Sequence, residues 1–523
     1  MRAVSLGPAA FLSLAAAMIG APSCGGSNNG PTGPGGGEGD AGDDGSSSLG
    51  VFSASDGAVT TCPAGLQCDV SCPGGATTSV SGTVYDPAGL NPLYNVVVYI
   101  AASPLQPLDV GVPTGADACS CPALFKSGSV VATTTDVDGK FQLNNVPVGE
   151  NVPVVIQIGK WRRQFLVTTL ACQDSAFADK LLKLPSTVGA GDVITSMPQI
   201  AVSTGSADTL ECLMHRIGLP TSEYVAGAGG TGHVHVFAGG QVGGTGGGID
   251  GSGPGSAETP GMTGAPSSYQ NLWDSPAHLM PYDIVLLSCE GGETYNANPM
   301  ALEAYLNAGG RAFASHYQYP WFAGPLASKQ NYSAPSDWGT ALATWTPVGN
   351  GGPNYMNGDV GGDMVTTLSG TSAGFAKGQA LDRWLGNVAA LGTSGVASTE
   401  VSIFQPRYNA QVTAANKPSQ PWIAYNDTSM SPAKPWTMYF SFDTPINPPP
   451  SANEGMPKYC GRAVYSDLHV AGDPSTADTM SPPGGCADGP LSPQEKVLEF
   501  MLFDLSACVL PDTTPPPTGG IVK

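Results

Sequence analysis

The constraint that most limits how this chain folds is a change of hydrophobic period near Gln199. Before it, apolar and β-branched residues fall in short runs: Val80-Ser81-Gly82-Thr83-Val84-Tyr85, Val96 to Ile100, Val154 to Ile158, and Gln164 to Val167. Such runs are strand-like, and nothing between Ser79 and Val167 carries the i, i+3, i+4 spacing of a helix. Asp86-Pro87-Ala88-Gly89 reads as a turn, and Asp136-Val137-Asp138-Gly139 predicts a hairpin between Thr133–Thr135 and Phe141–Leu143. This part is expected to be a small β-sandwich. Asp136 and Asp138 are only a fragment of a calcium loop, so turn chemistry accounts for them.

After Gln199, strands alternate with helices, the pattern of a parallel α/β sheet. Ile200–Ser203, His233–Phe237, Ile284–Ser288 and Arg311–Ser315 read as strands, and Asp208–Ile217 as a helix. Pro299 opens another helix, which Gly309-Gly310 ends. Trp436–Phe442 and Arg462–Leu468 are further strands. Ser492-Pro493-Gln494-Glu495 caps a closing helix with Leu498, Met501, Leu502 and Leu505 on one face.

Twelve cysteines bear on compartment as well as fold. In an exported chain they read as disulfides, and Cys119-Ser120-Cys121 lacks the Cys-x-x-Cys spacing that suits one tetrahedral ion. Six lie between Cys62 and Cys172 and five between Cys212 and Cys508, which places an unpaired thiol in the C-terminal part. A Cys212–Cys289 disulfide is the expected pairing there, with a free Cys289 as the competing reading.

Export is read from the N-terminus. Arg2 precedes an apolar run from Ala9 to Ala21 that is too short to span a bilayer, so residues 1–24 read as a signal segment. Ala21-Pro22-Ser23-Cys24 resembles a bacterial lipobox, with Pro22 departing from the usual residue, which makes Cys24 the expected site of lipidation. The expected location is the cell envelope, anchored to the outer membrane; the alternative is a periplasmic or secreted protein. Residues 25–60 are largely Gly, Ser, Asp and Pro, with little to bury, and are expected to be a flexible tether. With 20 basic and 41 acidic side chains the net charge is −21, which repels a phosphate backbone and argues against nucleic acid as partner.

Two stretches resemble known families. Gly82-Thr83-Val84-Tyr85-Asp86, Pro92-Leu93, Thr135-Asp136-Val137-Asp138-Gly139-Lys140-Phe141 and Val146-Pro147 resemble the carboxypeptidase regulatory-like family. That implies an accessory, transthyretin-like β-sandwich over residues 61–185. Ser288-Cys289-Glu290-Gly291-Gly292, Tyr305 to Gly310, Ala314-Ser315-His316 and Gly461 to His469 resemble the ThuA-like branch of the class I glutamine amidotransferase-like proteins. The implied fold for residues 196–511 is a flavodoxin-like parallel sheet, followed by a Pro/Gly-rich tail at 512–523.

In amidotransferases of that class a nucleophilic cysteine follows the strand that here ends at Ser315. This chain has His316 there, so glutamine hydrolysis by the family mechanism is not expected. Cys289, Glu290, His316 and His469 all stand at strand ends, where open α/β sheets place ligands, and they are the candidate catalytic residues. Tyr317, Tyr319 and Trp321 are candidates for stacking on a sugar ring, with packing over the sheet as the other reading. His233 and His235 share a strand face but have no third ligand, so neither metal nor cofactor is expected, and their strand is read as an exposed edge. The expected function is carbohydrate or extracellular-polymer binding rather than catalysis. A hydrolase or sugar-modifying enzyme using Glu290, His316 and His469 is one alternative, and a structural envelope protein the other. The sequence leaves oligomeric state open.

Overall fold

Nine short strands build a two-sheet sandwich: β1 (Ser79–Tyr85), β2 (Val97–Ala101), β3 (Ser129–Thr134), β4 (Lys140–Asn144), β5 (Gly149–Ile158), β6 (Trp161–Thr169), β7 (Asp174–Ala176), β8 (Leu182–Lys183) and β9 (Thr195–Ser196). One sheet runs β4-β1-β7, with β8 also on β1, and the other runs β3-β2-β5-β6-β9. The period of two divides the side chains as expected. Val98 and Ile100 pack inward with Val80, Val84, Leu143, Val154 and Ile156, while Tyr99 and Val155 join Phe125 in a separate cluster.

The computed structural model describes residues 62–513, apart from 190–193, 206, 240–266, 269, 291, 295–296, 324–333, 348–358, 405, 449–457, 471–485 and 487. Cys24, the signal segment, the tether, the glycine-rich insertion and most of the tail lie outside the described residues.

The Asp136–Gly139 turn forms, with Asp136 Oδ1 accepting from the backbone N–H groups of Asp138 and Lys140 at 2.9 Å each. It does not close a hairpin within one sheet. β3 pairs with β2 and β4 pairs with β1, so the turn carries the chain from one sheet to the other.

The second part holds β10 (Ile200–Ser203), α1 (Leu210–Arg216), β11 (Tyr224–Ala226), β12 (Val234–Ala238), β13 (Ser267–Ser268), α2 (Gln270–Trp273), α3 (Pro276–Leu279), β14 (Ile284–Leu287), α4 (Pro299–Ala308), β15 (Arg311–Ser315), α5 (Pro320–Ala323), β16 (Thr344–Trp345), β17 (Asp359–Met364), α6 (Ala376–Asn387), β18 (Glu400–Phe404), β19 (Ala410–Gln411), β20 (Ser419–Asp427), β21 (Lys434–Thr444), β22 (Gly461–Ser466) and α7 (Pro493–Ser506). The large sheet has the order β11-β12-β10-β14-β15-β22-β21-β20-β17-β18. It is parallel from β11 to β22 and antiparallel from β22 to β18. The expected parallel sheet is thus half of a mixed one. Its antiparallel half includes β17, β18 and β20, which the sequence pattern did not single out.

Alternate residues of the parallel strands feed two cores. Ile200, Val202, Ile284, Leu286, Phe313 and Val464 face one side, while Ala201, Val285, Leu287, Ala312, Ala314 and Tyr465 face the other. The first side also carries α1, α6 and α7 and is continuous with the interior of the sandwich. α7 therefore has more than one apolar face. Gln494, Glu495 and Glu499 are buried along with Leu498, Met501, Leu502 and Leu505, because the sheet lies on one side and the sandwich on another.

The two parts are joined closely. Phe500 stacks on Tyr94, Phe503 meets Trp161 edge-on, and Trp384 Nε1 donates to the Pro92 carbonyl at 2.6 Å. Lys160 pairs with Asp283 at 2.5 Å. Gly159 sits at φ 56°, and a Cβ there would lie 1.9 Å from the Ser506 carbonyl oxygen, so only glycine allows the closing helix to approach. Disulfides Cys119–Cys460 and Cys121–Cys508 cross the same joint. Among the described residues, no helix is long and apolar enough to cross a membrane.

Candidate functional site

Three neighbouring parallel strands end side by side. β14 pairs Leu287 with Ala314 of β15, and β15 pairs Ser315 with Ser466 of β22. The chain leaves each strand at its carboxyl end, so residues distant in sequence arrive at one place. Cys289 Sγ lies 3.4 Å from His316 Nδ1, and His469 Nε2 lies 3.2 Å from that same nitrogen. All three donor atoms are within 4.8 Å of one another. Cys289 and His316 are buried, and His469 is the partly exposed member.

Local geometry holds each residue in place. The Cys289 N–H donates to Ser315 Oγ at 2.9 Å. Gly205 lets β10 and its following loop pass close by, since a Cβ there would meet the Cys289 carbonyl oxygen at 2.1 Å. His316 has φ 38°, in the left-handed region, a conformation that costs a non-glycine residue about 1–3 kcal/mol. It is held by its own carbonyl, which accepts from the Tyr465 hydroxyl at 2.9 Å and the Tyr319 N–H at 3.0 Å. Strand, strained residue and short helical turn together form an elbow that turns the imidazole back over the strand ends.

Burial drives His316 well below the ordinary histidine range, and the neighbouring His469 and Arg407 push the same way, against a hydrogen bond that the imidazole donates to the Asn409 side chain. Burial, followed by Arg407, takes His469 down to about 3. Both imidazoles are neutral at neutral pH, with lone pairs available to a hydrogen-bond donor or a metal ion. Asp467, two residues before His469, is pushed up to about 7 by burial. Hydrogen bonds from the N–H groups of Asn409 and Ala410 and from the Tyr465 hydroxyl oppose that rise.

Glu290 is buried beside the cluster, with Oε1 accepting from Thr294 Oγ1 at 3.2 Å and Gln318 Nε2 at 3.3 Å. Tyr317 is half-buried, its ring centroid 3.7 Å from that of His316. Tyr319 and Trp321 are placed otherwise than a sugar platform requires. Both are sealed in the core, Tyr319 bonded to Glu293 and stacked on Trp345, and Trp321 edge-on to Trp273 with Nε1 donating to Gln318. Packing against the sheet, not a ligand, occupies their faces.

The expected Cys212–Cys289 disulfide is corrected. Cys212 on α1 pairs with Cys486, in the segment leading to α7, while the Cys289 thiol turns toward His316. The remaining pairs are Cys62–Cys68 and Cys72–Cys172, so Cys289 is the one described cysteine outside a disulfide. His233 and His235 hold no site either. His233 Nδ1 meets Glu223 at 2.6 Å, and both ring nitrogens of His235 are engaged, by the Gly227 carbonyl and Gln199. Their strand is interior rather than an exposed edge, since β12 lies between β11 and β10.

Sequence reasoning missed Arg407 and Asn409. They lie between β18 and β19, in a stretch whose period was not read, and no motif marks them; only the fold brings them over the strand ends. Compared with known protein families, with characterised proteins and with solved structures, the chain finds no match in any of the three.

Proposed function

We propose that this is an exported, envelope-anchored hydrolase or sugar-modifying enzyme, with its active centre at Cys289, His316 and His469 and Glu290 beside them. The observation that carries this reading is the contact of Cys289 Sγ, outside any disulfide, with His316 Nδ1 at 3.4 Å, at the carboxyl ends of central parallel strands. A merely structural domain in a disulfide-rich chain has no need to keep one thiol reduced beside two neutral imidazoles and a strained backbone residue. The resemblance to ThuA-like, flavodoxin-like proteins supports the same site, and the transthyretin-like sandwich then acts as an accessory part that braces α7. Carbohydrate or another extracellular polymer remains the ligand class. With Tyr319 and Trp321 inside the core, simple glycan binding loses two of its three stacking candidates, which moves the reading from binding toward catalysis.

The test is a panel of chromogenic glycosides and esters offered to the full chain. Turnover is expected, falling by about 100-fold in His316→Ala and in His469→Ala, as befits loss of a group at the reacting centre. The exposed, remote His278→Ala serves as control. No turnover on any member, or turnover unchanged in His316→Ala, removes the proposal.

A further inference from the structure

We infer that Cys289 Sγ, His316 Nδ1 and His469 Nε2 together bind one zinc ion, with a fourth position open to water or substrate. The inference rests on the same residues as the proposed activity, but its test reads metal content, so either can fail alone.

Geometry comes first. Zinc bonds of about 2.3 Å to sulfur and about 2.0–2.1 Å to nitrogen, at tetrahedral angles, set ligand atoms about 3.5 Å apart for S and N and about 3.3 Å apart for two N. The chain places its sulfur 3.4 Å from one nitrogen and the two nitrogens 3.2 Å apart. The third edge lies within the same 4.8 Å cluster. Two of these edges match a coordination tetrahedron with three corners filled by protein, and metal binding sets the third at about 3.5 Å.

A single proton at His316 Nδ1 can bridge it to only one of its two neighbours. Cys289 and His469 both point at His316 Nδ1, which has one lone pair when neutral and one hydrogen when protonated. It can therefore accept one hydrogen bond or donate one, but serve only one neighbour well. A cation at the centre of the three accepts a lone pair from each. On binding, the thiol proton leaves to solvent and the sulfur bonds to the metal as thiolate; no redox change occurs.

The surroundings fit a ligand histidine. Asn409 hydrogen-bonds the His316 ring, and its own Nδ2 donates to the Thr346 carbonyl at 2.7 Å. The Asn409 oxygen is then the atom left to accept the imidazole N–H, which fixes the tautomer that presents Nδ1 to the metal. Gln494 Nε2 donates to the His469 carbonyl and ties that residue to α7. The donor set of one sulfur and two imidazole nitrogens suits zinc, and three protein ligands with one open position are the arrangement of catalytic rather than structural zinc.

The experiment uses the oxidised full chain, stripped with chelator and then dialysed against Zn2+ and, separately, Co2+. About one Zn2+ per chain is expected, and Co2+ should give the intense visible bands of a tetrahedral thiolate site. Cys289→Ser, a near-isosteric change, and His469→Ala should abolish uptake. Asn409→Ala should weaken it about 10–100-fold, as loss of a ligand-orienting partner does. His233→Ala should leave it intact. If the folded wild-type chain takes up no Zn2+, or takes it up equally well as Cys289→Ser, the inference is overturned. Zinc bound without turnover on the substrate panel would remove the hydrolase proposal and leave this one standing.

Discussion

Asn91 Nδ2 donates to Glu499 Oε2 at 2.6 Å, bringing a turn of the sandwich onto the closing helix of the α/β part. Asp86 is hydrogen-bonded to the same Glu499, and burial raises the pKa of both carboxyls. Asp86 accepts from the N–H groups of Leu90 and Asn91 and is the better anion, so Glu499 holds the shared proton. The folded chain thus keeps a proton that an unfolded glutamate, with a pKa of about 4.3, releases.

Stability from this proton is fully present below the unfolded pKa and is lost as pH rises through the folded one. The attraction of Lys496 for an ionised Glu499 only partly offsets the rise. Glu499→Gln donates the same hydrogen bond without titrating. Denaturant unfolding should show it more stable than wild type by about 1–2 kcal/mol near pH 8, with the gap closing near pH 4. A gap independent of pH would show that no proton is shared.

The paired crossings Cys119–Cys460 and Cys121–Cys508 are not equivalent to two separate staples. With the second intact, removing the first releases a closed loop of about 50 residues, for about 4 kcal/mol on the loop-entropy scale. Removing both also releases the second closure, about 110 residues long while Cys212–Cys486 stays intact, for about 5 kcal/mol more. Guanidinium unfolding should therefore find the quadruple serine variant destabilised by more than twice the loss in Cys119→Ser/Cys460→Ser. Equal losses would mean that packing alone holds the joint.

Trp321 is 1% exposed and makes an edge-on contact with Trp273. Trp321→Ala should cost about 3–5 kcal/mol in thermal or chemical unfolding, as deletion of a large core aromatic does. Half-buried Tyr317→Ala should cost less than about 2 kcal/mol. A Trp321 variant as stable as wild type would place the ring outside the core.

Alkylation should distinguish the thiols cleanly. Among Cys62 to Cys508, iodoacetamide without reductant should label none in the native state and Cys289 alone after denaturation, read by peptide mass mapping. Labelling of Cys212 or Cys486 under those conditions, or no labelling of Cys289, would contradict this pairing.

What was legible in the sequence follows from local physics. The β-branched runs, the capping box at Ser492 and Glu495, and the apolar strands ending at Leu287 and Ser315 each carry their own signal, and each formed. Convergence of Cys289, His316 and His469 was expected only as a possibility of strand ends, because no local rule states which strands become neighbours. The Cys212 pairing failed for the same reason: distance along the chain does not say which way two buried sulfurs turn. β20 was hidden by its own composition. Ser419-Gln420-Pro421 opens it with polar residues and a proline, and its strand identity comes from pairing with β21.

The joint disulfides set a schedule on folding as well as a geometry. A chain made from its N-terminus at about 5–20 residues per second needs roughly 20–80 s to travel from Cys121 to its partner, 387 residues later. The sandwich can mature during that interval, but Cys119 and Cys121 remain unclaimed while Cys62, Cys68, Cys72 and Cys172 are pairing, and premature exchange is the hazard. Closure of the joint therefore reports completion: a truncated chain lacks Cys508 and cannot lock, and its exposed pair of thiols marks it as unfinished to any oxidoreductase or protease it meets.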